Sequence, residues 1–382
     1  MSFRINLFAA RAPLASFTAM GVMWGLIAAD LPDLIAMLAV DEATLGLLMF
    51  PTPLAAVLAM FAAPFVARSA GKGALLLMTI LMALAFILPG QVTAIWAYAL
   101  AMMVCWATTG LTDVLMNARV SAIEAERGQS LMNLCHAAYS FGYAGSAIGT
   151  GVLRAQGWPP SKVLFTVGML AVAAAFLSYE RNGAVTGLDR PKERSAAHLG
   201  LVPVIGGAMI FIAFLTENAS ESWSALYIEQ TLDGSPTQGA LGPALMAFTM
   251  GVARLFGQSF ANRFAPERLL MVSAAIGAVG LVLASSAMGP GMAYLGFITA
   301  GIGASLIGPT AFSMVGALSK PEARTRAVAR ATMIGYLGYF VGPPAFGFMA
   351  SGLGLRTTFV AAAGLLGMIL ILAPMMARRA KR

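Results

Sequence analysis

Charge is what this chain has least of. Asp, Glu, Lys and Arg make up 10% of its 382 residues, against about 25% in soluble domains. Apolar residues reach 59% and the mean hydropathy is +0.81, so a water-soluble fold of this length is excluded: it would have no interior large enough for that much apolar surface. Cysteine is nearly absent as well. Cys105 and Cys135 both fall within apolar stretches, which rules out a disulfide framework and leaves them as small packing residues. Of the two histidines only His136 lies inside an apolar stretch, and no His-Glu-x-x-His pattern occurs. A membrane-embedded enzyme is therefore without a metal cluster or nucleophile constellation. There is also no Gly-x-x-x-x-Gly-Lys-Ser/Thr sequence, so ATP-driven pumping would need a partner chain, and no cofactor is expected.

What the chain has is long apolar runs. A helix needs roughly 20 apolar residues to cross the hydrocarbon, and twelve such runs are bounded by charge, Pro or Gly: about 12–36, 43–67, 73–90, 92–117, 131–153, 161–179, 201–228, 239–262, 268–287, 290–318, 327–351 and 356–376. The expected fold is an all-α membrane protein of two six-helix bundles, residues 1–180 and 200–382, joined by a linker over 181–199 that holds the charged run Asp189 to Arg194. The first run is long, lacks a small-residue cleavage pattern and continues into further spans, so it reads as a span and not a cleavable signal.

Lys and Arg are retained on the cytoplasmic side of a membrane. With the N-terminus inside, every basic residue except Arg154, Lys162 and Arg356 falls on that side, which puts both termini in the cytoplasm and suggests a bacterial inner membrane. The net charge of +8 and pI of 9.8 follow from this bias, so nucleic acid is not an expected partner; the lipid bilayer is.

The two halves carry a weak repeat. At an offset of 195 Arg68 falls on Arg263, and one residue further Gly142 and Tyr143 fall on Gly338 and Tyr339. Parallel repeats of six spans are a transporter plan with the substrate site at the midplane between halves. Gly-rich stripes in the fifth and eleventh spans fit close helix packing, or helices that slide as access alternates.

Ionisable groups at mid-bilayer cost about 2.5–3.5 kcal/mol even on the lenient insertion scale, so each needs a partner or a task. Asp113 lies deep in the fourth span, with Asn117 one turn on. Glu217 and Glu221 are four apart in the seventh and share a helix face. Two carboxylates that close repel, and one of them is expected to hold a proton near neutral pH. In the fifth span Asn133, His136, Ser140 and Tyr143 form one polar stripe, with Tyr139 nearby. Asp113, Glu217, Glu221 and His136 are the proton-coupling candidates, although His136 also fits a hydrogen-bonded packing role. Asn117, Asn133, Tyr139, Tyr143, Asn218, Trp223 and Tyr227 are the substrate-binding candidates; Trp223 and Tyr227 fit an interfacial aromatic belt equally well. Arg254 and Gln258, four apart, fit a cytoplasmic gate or a snorkelling side chain, with an anion anchor as the alternative, and Arg68 and Arg263 join them as gating candidates. Asp30 and Asp33 are read as a solvated mouth at the outer end of the first span.

These residues resemble the major facilitator superfamily, and more closely a bacterial inner-membrane subfamily typified by YbjJ. The resemblance rests on Asp-Val-x-Met-Asn from Asp113, followed by Glu124, His136, Ser140, Gly142 and Gly145, and on Glu217, Asn218, Ala219, Ser222, Trp223 and Ser224, which is similar to the subfamily's Glu-Gly-Ala-x-x-Asp-Trp-Ser. It covers nearly the whole chain. Ser222 stands where that motif has Asp, and Glu221 is gained before it. The superfamily's Gly-x-x-x-Asp-Arg-x-Gly-Arg loop is degenerate: Ala67 replaces the acid before Arg68, and Asn262 precedes Arg263. Asp30 stands at a position that resembles an Arg in relatives, which implies a different selectivity at the outer mouth. The resemblance implies two bundles rocking about a central cavity in a working monomer. The expected function is secondary transport of a small polar organic solute, neutral or cationic, coupled to protons as symport or antiport. Uniport, multidrug or metabolite efflux, and a sensor that moves no cargo are the alternatives.

Overall fold

The computed structural model describes residues 10–128, 131–185, 188, 199–261, 264–320 and 323–379. Among them there is no strand; a helix satisfies its backbone groups within one segment, which is what a low-dielectric setting demands of each span. Ten helical stretches are long and apolar enough to cross a membrane. The fifth helix, Met132–Ala155, and the eleventh, Arg324–Leu353, have the length, but small and polar residues dilute their apolar character. With these two the twelve expected spans are all present as helix.

Three departures from the expected boundaries have local causes. The second span is cut into Glu42–Met49, Thr52–Met60 and Ala63–Ala70, with a proline in the first turn of each of the last two segments. Proline there gives up no hydrogen bond but cannot continue a helix from the residues before it. The fourth helix, Ile95–Arg127, runs ten residues past the apolar stretch and ends at Gly128, whose φ is 65°. Apolarity stops at the membrane surface; the helix does not. The seventh, Val202–Leu226, continues into a π-turn over Tyr227–Thr231 that carries Glu229.

The helices of each half pack chiefly among themselves, and the two halves repeat one pattern. The first helix lies on the fifth as the seventh lies on the eleventh, and the second lies on the fourth as the eighth lies on the tenth. The repeat seen in sequence marks these contacts. A Cβ on Gly142 would sit 2.6 Å from the Thr18 carbonyl oxygen, and one on its counterpart Gly338 would sit 2.7 Å from that of Phe211. Glycine is there because the backbones touch. Cys105 and Cys135 are both buried and unbridged.

At one end of the bundle Arg11 of the first span and Arg119 of the fourth meet the end of the sixth. Arg119 pairs with Glu180 at 2.7 Å and Arg11 donates to the Tyr179 carbonyl at 3.4 Å. We call it the basic end. The halves meet through the fifth helix on the eighth, Pro236–Ala261, and through the first segment of the second helix on the eleventh. Because that segment lies toward the opposite, far end, the halves are sealed there, while the later segments of the second helix pack on the fourth helix of their own half.

Candidate functional site

A cavity of about 320 Å³ lies between the halves on the basic-end side of this seal. Three carboxylates line it. Asp113 comes from the fourth helix and Glu217 and Glu221 from the seventh, joined by Asn117, Asn218, His136, Tyr139 and Arg254. The spacing of four within each helix is what aims Asp113 with Asn117, and Glu217 with Glu221, at one space. Asn117 donates to the Asp113 carboxylate at 3.0 Å and to its backbone carbonyl at 2.9 Å, which holds the acid in place.

Arg254 reaches this space from the eighth helix and bridges the halves. Its Nη2 donates to Glu217 Oε1 at 3.2 Å and its Nη1 to Ser140 Oγ, on the fifth helix, at 3.3 Å. Both charged partners are mostly buried, at 18% and 19% side-chain exposure, so the pair, which lies within the second half, is little screened, while the bond to Ser140 is the one that parting the halves would break. Asn218 Oδ1 and Trp106 Nε1 are buried and meet no hydrogen-bond partner among the described residues. Both residues line the cavity, one with an unused acceptor and the other with an unused donor.

An aromatic wall completes the site. Trp24 and Trp106 meet edge-on at 4.9 Å, Trp106 meets Tyr339 at 5.9 Å, Tyr339 stacks on Phe214 at 4.9 Å, and Tyr336 meets Phe214 at 5.9 Å. His136 packs its ring edge-on against Phe17 at 4.9 Å. Sequence reasoning missed this wall, since an aromatic inside an apolar run has no contrast with its neighbours. The signal available was Tyr339, which falls on Tyr143 in the repeat, with Tyr336 three residues before it.

Other candidates lie elsewhere. Asn133, Tyr143 and Arg68 are not among the cavity residues; Tyr143 is buried between the first and fifth helices beside Ala28 and Ala247. Trp223 and Tyr227 are fully buried within the second half and form neither cavity wall nor membrane belt. The Tyr227 hydroxyl donates to the Ala284 carbonyl at 2.8 Å and its ring meets Phe359 at 5.1 Å. The Gln258 side chain and Arg263 lie outside the described residues. Asp33 is partly exposed at 37%, as a mouth residue would be, but the Asp30 side chain is fully buried, beside a buried Arg154.

Arg154 was also missed: it stands one residue beyond the expected span, and its long side chain folds back into the bundle. It pairs with Asp33 and with Glu229, each at 2.7 Å, and so ties the halves together at the far end.

Residues 205–382 match the Major Facilitator Superfamily. An uncharacterized MFS-type transporter of Yersinia pestis is 28% identical over 85% of this chain and 84% of its own. The uncharacterized transporter y4wD of Sinorhizobium fredii is 24% identical over 96% and 97%. Among solved structures, a bacterial homolog of the human lysosomal transporter Spinster, inward-facing and occupied, superposes with a TM-score of 0.75 at 16% identity, covering 99% of this chain and 98% of that one. The nucleoside transporter NupG superposes with a TM-score of 0.75 at 14% identity over 99% and 100%. The Escherichia coli fucose:proton symporter FucP does so with 0.61 at 16% identity over 96% and 99%. The second half thus matches the Major Facilitator Superfamily, most of the chain is similar to MFS-type transporters, and the chain shares the fold of the solved transporters.

Proposed function

We propose that the chain is a proton-coupled secondary transporter of a small polar organic solute, neutral or cationic, of sugar, cyclitol or amine type, working as a monomer by alternating access. The observation that carries this reading is the composition of the cavity: three carboxylates and one arginine, contributed by both halves, beside a wall of five aromatic rings. Such a wall stacks on a ring face or a cation, while the carboxylates and amides accept from hydroxyl or ammonium donors. A polyanion would meet an excess of negative charge.

In this reading Asp113 and Glu217 take up and release the coupling proton, Glu221 and His136 tune them, and Arg254 passes between Glu217 and the solute as the halves rock. Protonation and solute binding each favour a different state, since a ligand shifts an equilibrium only through differential affinity. The basic end faces the cytoplasm of a bacterial inner membrane, in keeping with the positive-inside bias, and the cavity of this state opens inward. Within the superfamily the motifs fit the YbjJ-type subfamily best.

The test is reconstitution in liposomes. A thermal-shift screen of sugars, cyclitols, amines and organic acids supplies the solute, and its uptake is then measured with and without a pH gradient. Uptake is expected to follow the gradient and to fall at least tenfold in Asp113→Asn and Glu217→Gln. Equal uptake without a gradient, with both variants at wild-type rate, would overturn the proton coupling assigned to these acids.

A further inference from the structure

We propose that Asp30 is a second proton-exchanging site, tied to a gate that Arg154 and Glu229 form at the far end of the bundle. This rests on the alternating-access reading above but not on the cavity or on what it carries.

The geometry turns on a count of donors. An arginine has five N–H donors in a fixed fork, and Arg154 uses all of them. Its Nε donates to Asp33 Oδ2 at 2.9 Å, and Nη2 to Asp33 Oδ1 at 2.7 Å and Glu229 Oε2 at 2.9 Å. Its Nη1 donates to Glu229 Oε1 and to the Ala29 carbonyl, both at 2.7 Å. None is left for Asp30, whose Oδ1 lies 3.7 Å from Nε and whose two oxygens accept no hydrogen bond among the described residues. Asp30 is also fully buried.

The groups that act on it are Arg154 from the fifth helix, Asp33 on its own helix, Glu229 from the π-turn of the seventh, and the phenol of Tyr98 on the fourth. One guanidinium therefore faces three carboxylates. Two are hydrogen-bonded to it and the third is not, and an ionised carboxylate with neither water nor a donor is the arrangement a protein interior tolerates least. While the gate is shut, Asp30 carries its proton.

Opening redistributes the same donors. Asp30, Asp33 and Arg154 belong to the first half and Glu229 to the second, so when the halves part at this end Glu229 leaves with its own bundle. One donor on Nη1 and one on Nη2 then lose their acceptor, and Asp30 is the acceptor within reach. It ionises, and its proton passes to the water that the opening admits. The guanidinium is balanced by two ionised carboxylates in both states: Asp33 and Glu229 when shut, Asp33 and Asp30 when open. Closing runs the exchange in reverse and takes one proton up. The proton thus binds the shut state in preference to the open one, and through that difference shifts the equilibrium, by up to about tenfold per pH unit for a single proton.

The gate is read directly with spin labels on Gln156→Cys and Met288→Cys. Both positions are exposed at the far end, one in each half, and the native cysteines are buried. Distances are measured in nanodiscs without solute or gradient. In the wild type the longer-distance population is expected to grow as pH rises. Asp30→Asn, which keeps the shape and cannot ionise, is expected to stay short at every pH. Glu229→Ala, which removes the shut-state partner, is expected to be long at every pH. A wild type that ignores pH, or either variant titrating as the wild type does, would overturn the proposal; Glu229→Ala decides alone if Asp30→Asn does not fold. Loss of the distance response with proton-driven uptake intact refutes the gate only, whereas unchanged uptake in Asp113→Asn with the distance response intact refutes the cavity assignment only.

Discussion

Replacing Arg154 by alanine removes five hydrogen bonds at once and leaves Asp30, Asp33 and Glu229 facing one another without a cation. Hydrogen bonds to charged groups contribute about 1.5–3 kcal/mol each, so simple addition would reach roughly 8–15 kcal/mol, the whole stability of an ordinary domain. The contributions do not add. The two halves can part at this end and let water reach the orphaned carboxylates, which limits the loss to the lower part of the roughly 3–5 kcal/mol found when a buried ion pair loses one partner. At about 2–4 °C per kcal/mol for chains of 150–250 residues, about 3 kcal/mol corresponds to a fall of roughly 6–12 °C in the melting midpoint of the purified protein. Glu229→Ala is expected to cost less, because Arg154 keeps Asp33 and the Ala29 carbonyl. Arg154→Lys should fall between wild type and Arg154→Ala, since an ammonium keeps the charge but lacks the fork that serves two carboxylates. An Arg154→Ala midpoint within about 2 °C of wild type, or above that of Glu229→Ala, would refute this account of the far-end seal.

Glu124 accepts the backbone N–H of Leu131 and that of Met132, the latter at 2.8 Å, and so caps the start of the fifth helix. Glu124→Ala is expected to lower stability by about 1–2 kcal/mol and to raise amide exchange over the first turn of that helix while leaving its middle unchanged. Gly142→Leu drives a side chain into the Thr18 carbonyl and should cost about 3 kcal/mol or more, whereas Gly149→Ala, where an added Cβ meets nothing within 4 Å, should be neutral or stabilising. Folded yield of the two variants by fluorescence-detected size exclusion separates them.

Much of the architecture was readable in one dimension because a bilayer imposes a single rule on every segment: a run of apolar residues of crossing length must be a helix. The same rule made Asp113, Glu217, Glu221, His136 and Arg254 conspicuous, since a polar side chain in a lipid-length run stands out from its surroundings, and all five line one cavity. What hydropathy cannot express is the rotation of each helix about its own axis. That rotation is set by packing, so it was the tertiary structure that turned Trp223 and Tyr227 into the core of the second half and turned Trp24, Trp106 and Tyr339 toward the cavity. Reach is equally invisible to a linear reading: Arg154 lies one residue beyond its apolar run, and only the folded chain carries its guanidinium back to Asp33 on the first helix and Glu229 on the seventh. The amino-acid order thus determined that the chain crosses a membrane as two related sets of helices with acids buried in them. Which acids share a cation, and which stands beside it without a hydrogen bond, was decided by contacts between residues 75 to 125 positions apart, because such pairings depend on how separate helices are placed against one another and leave no periodic trace along the chain.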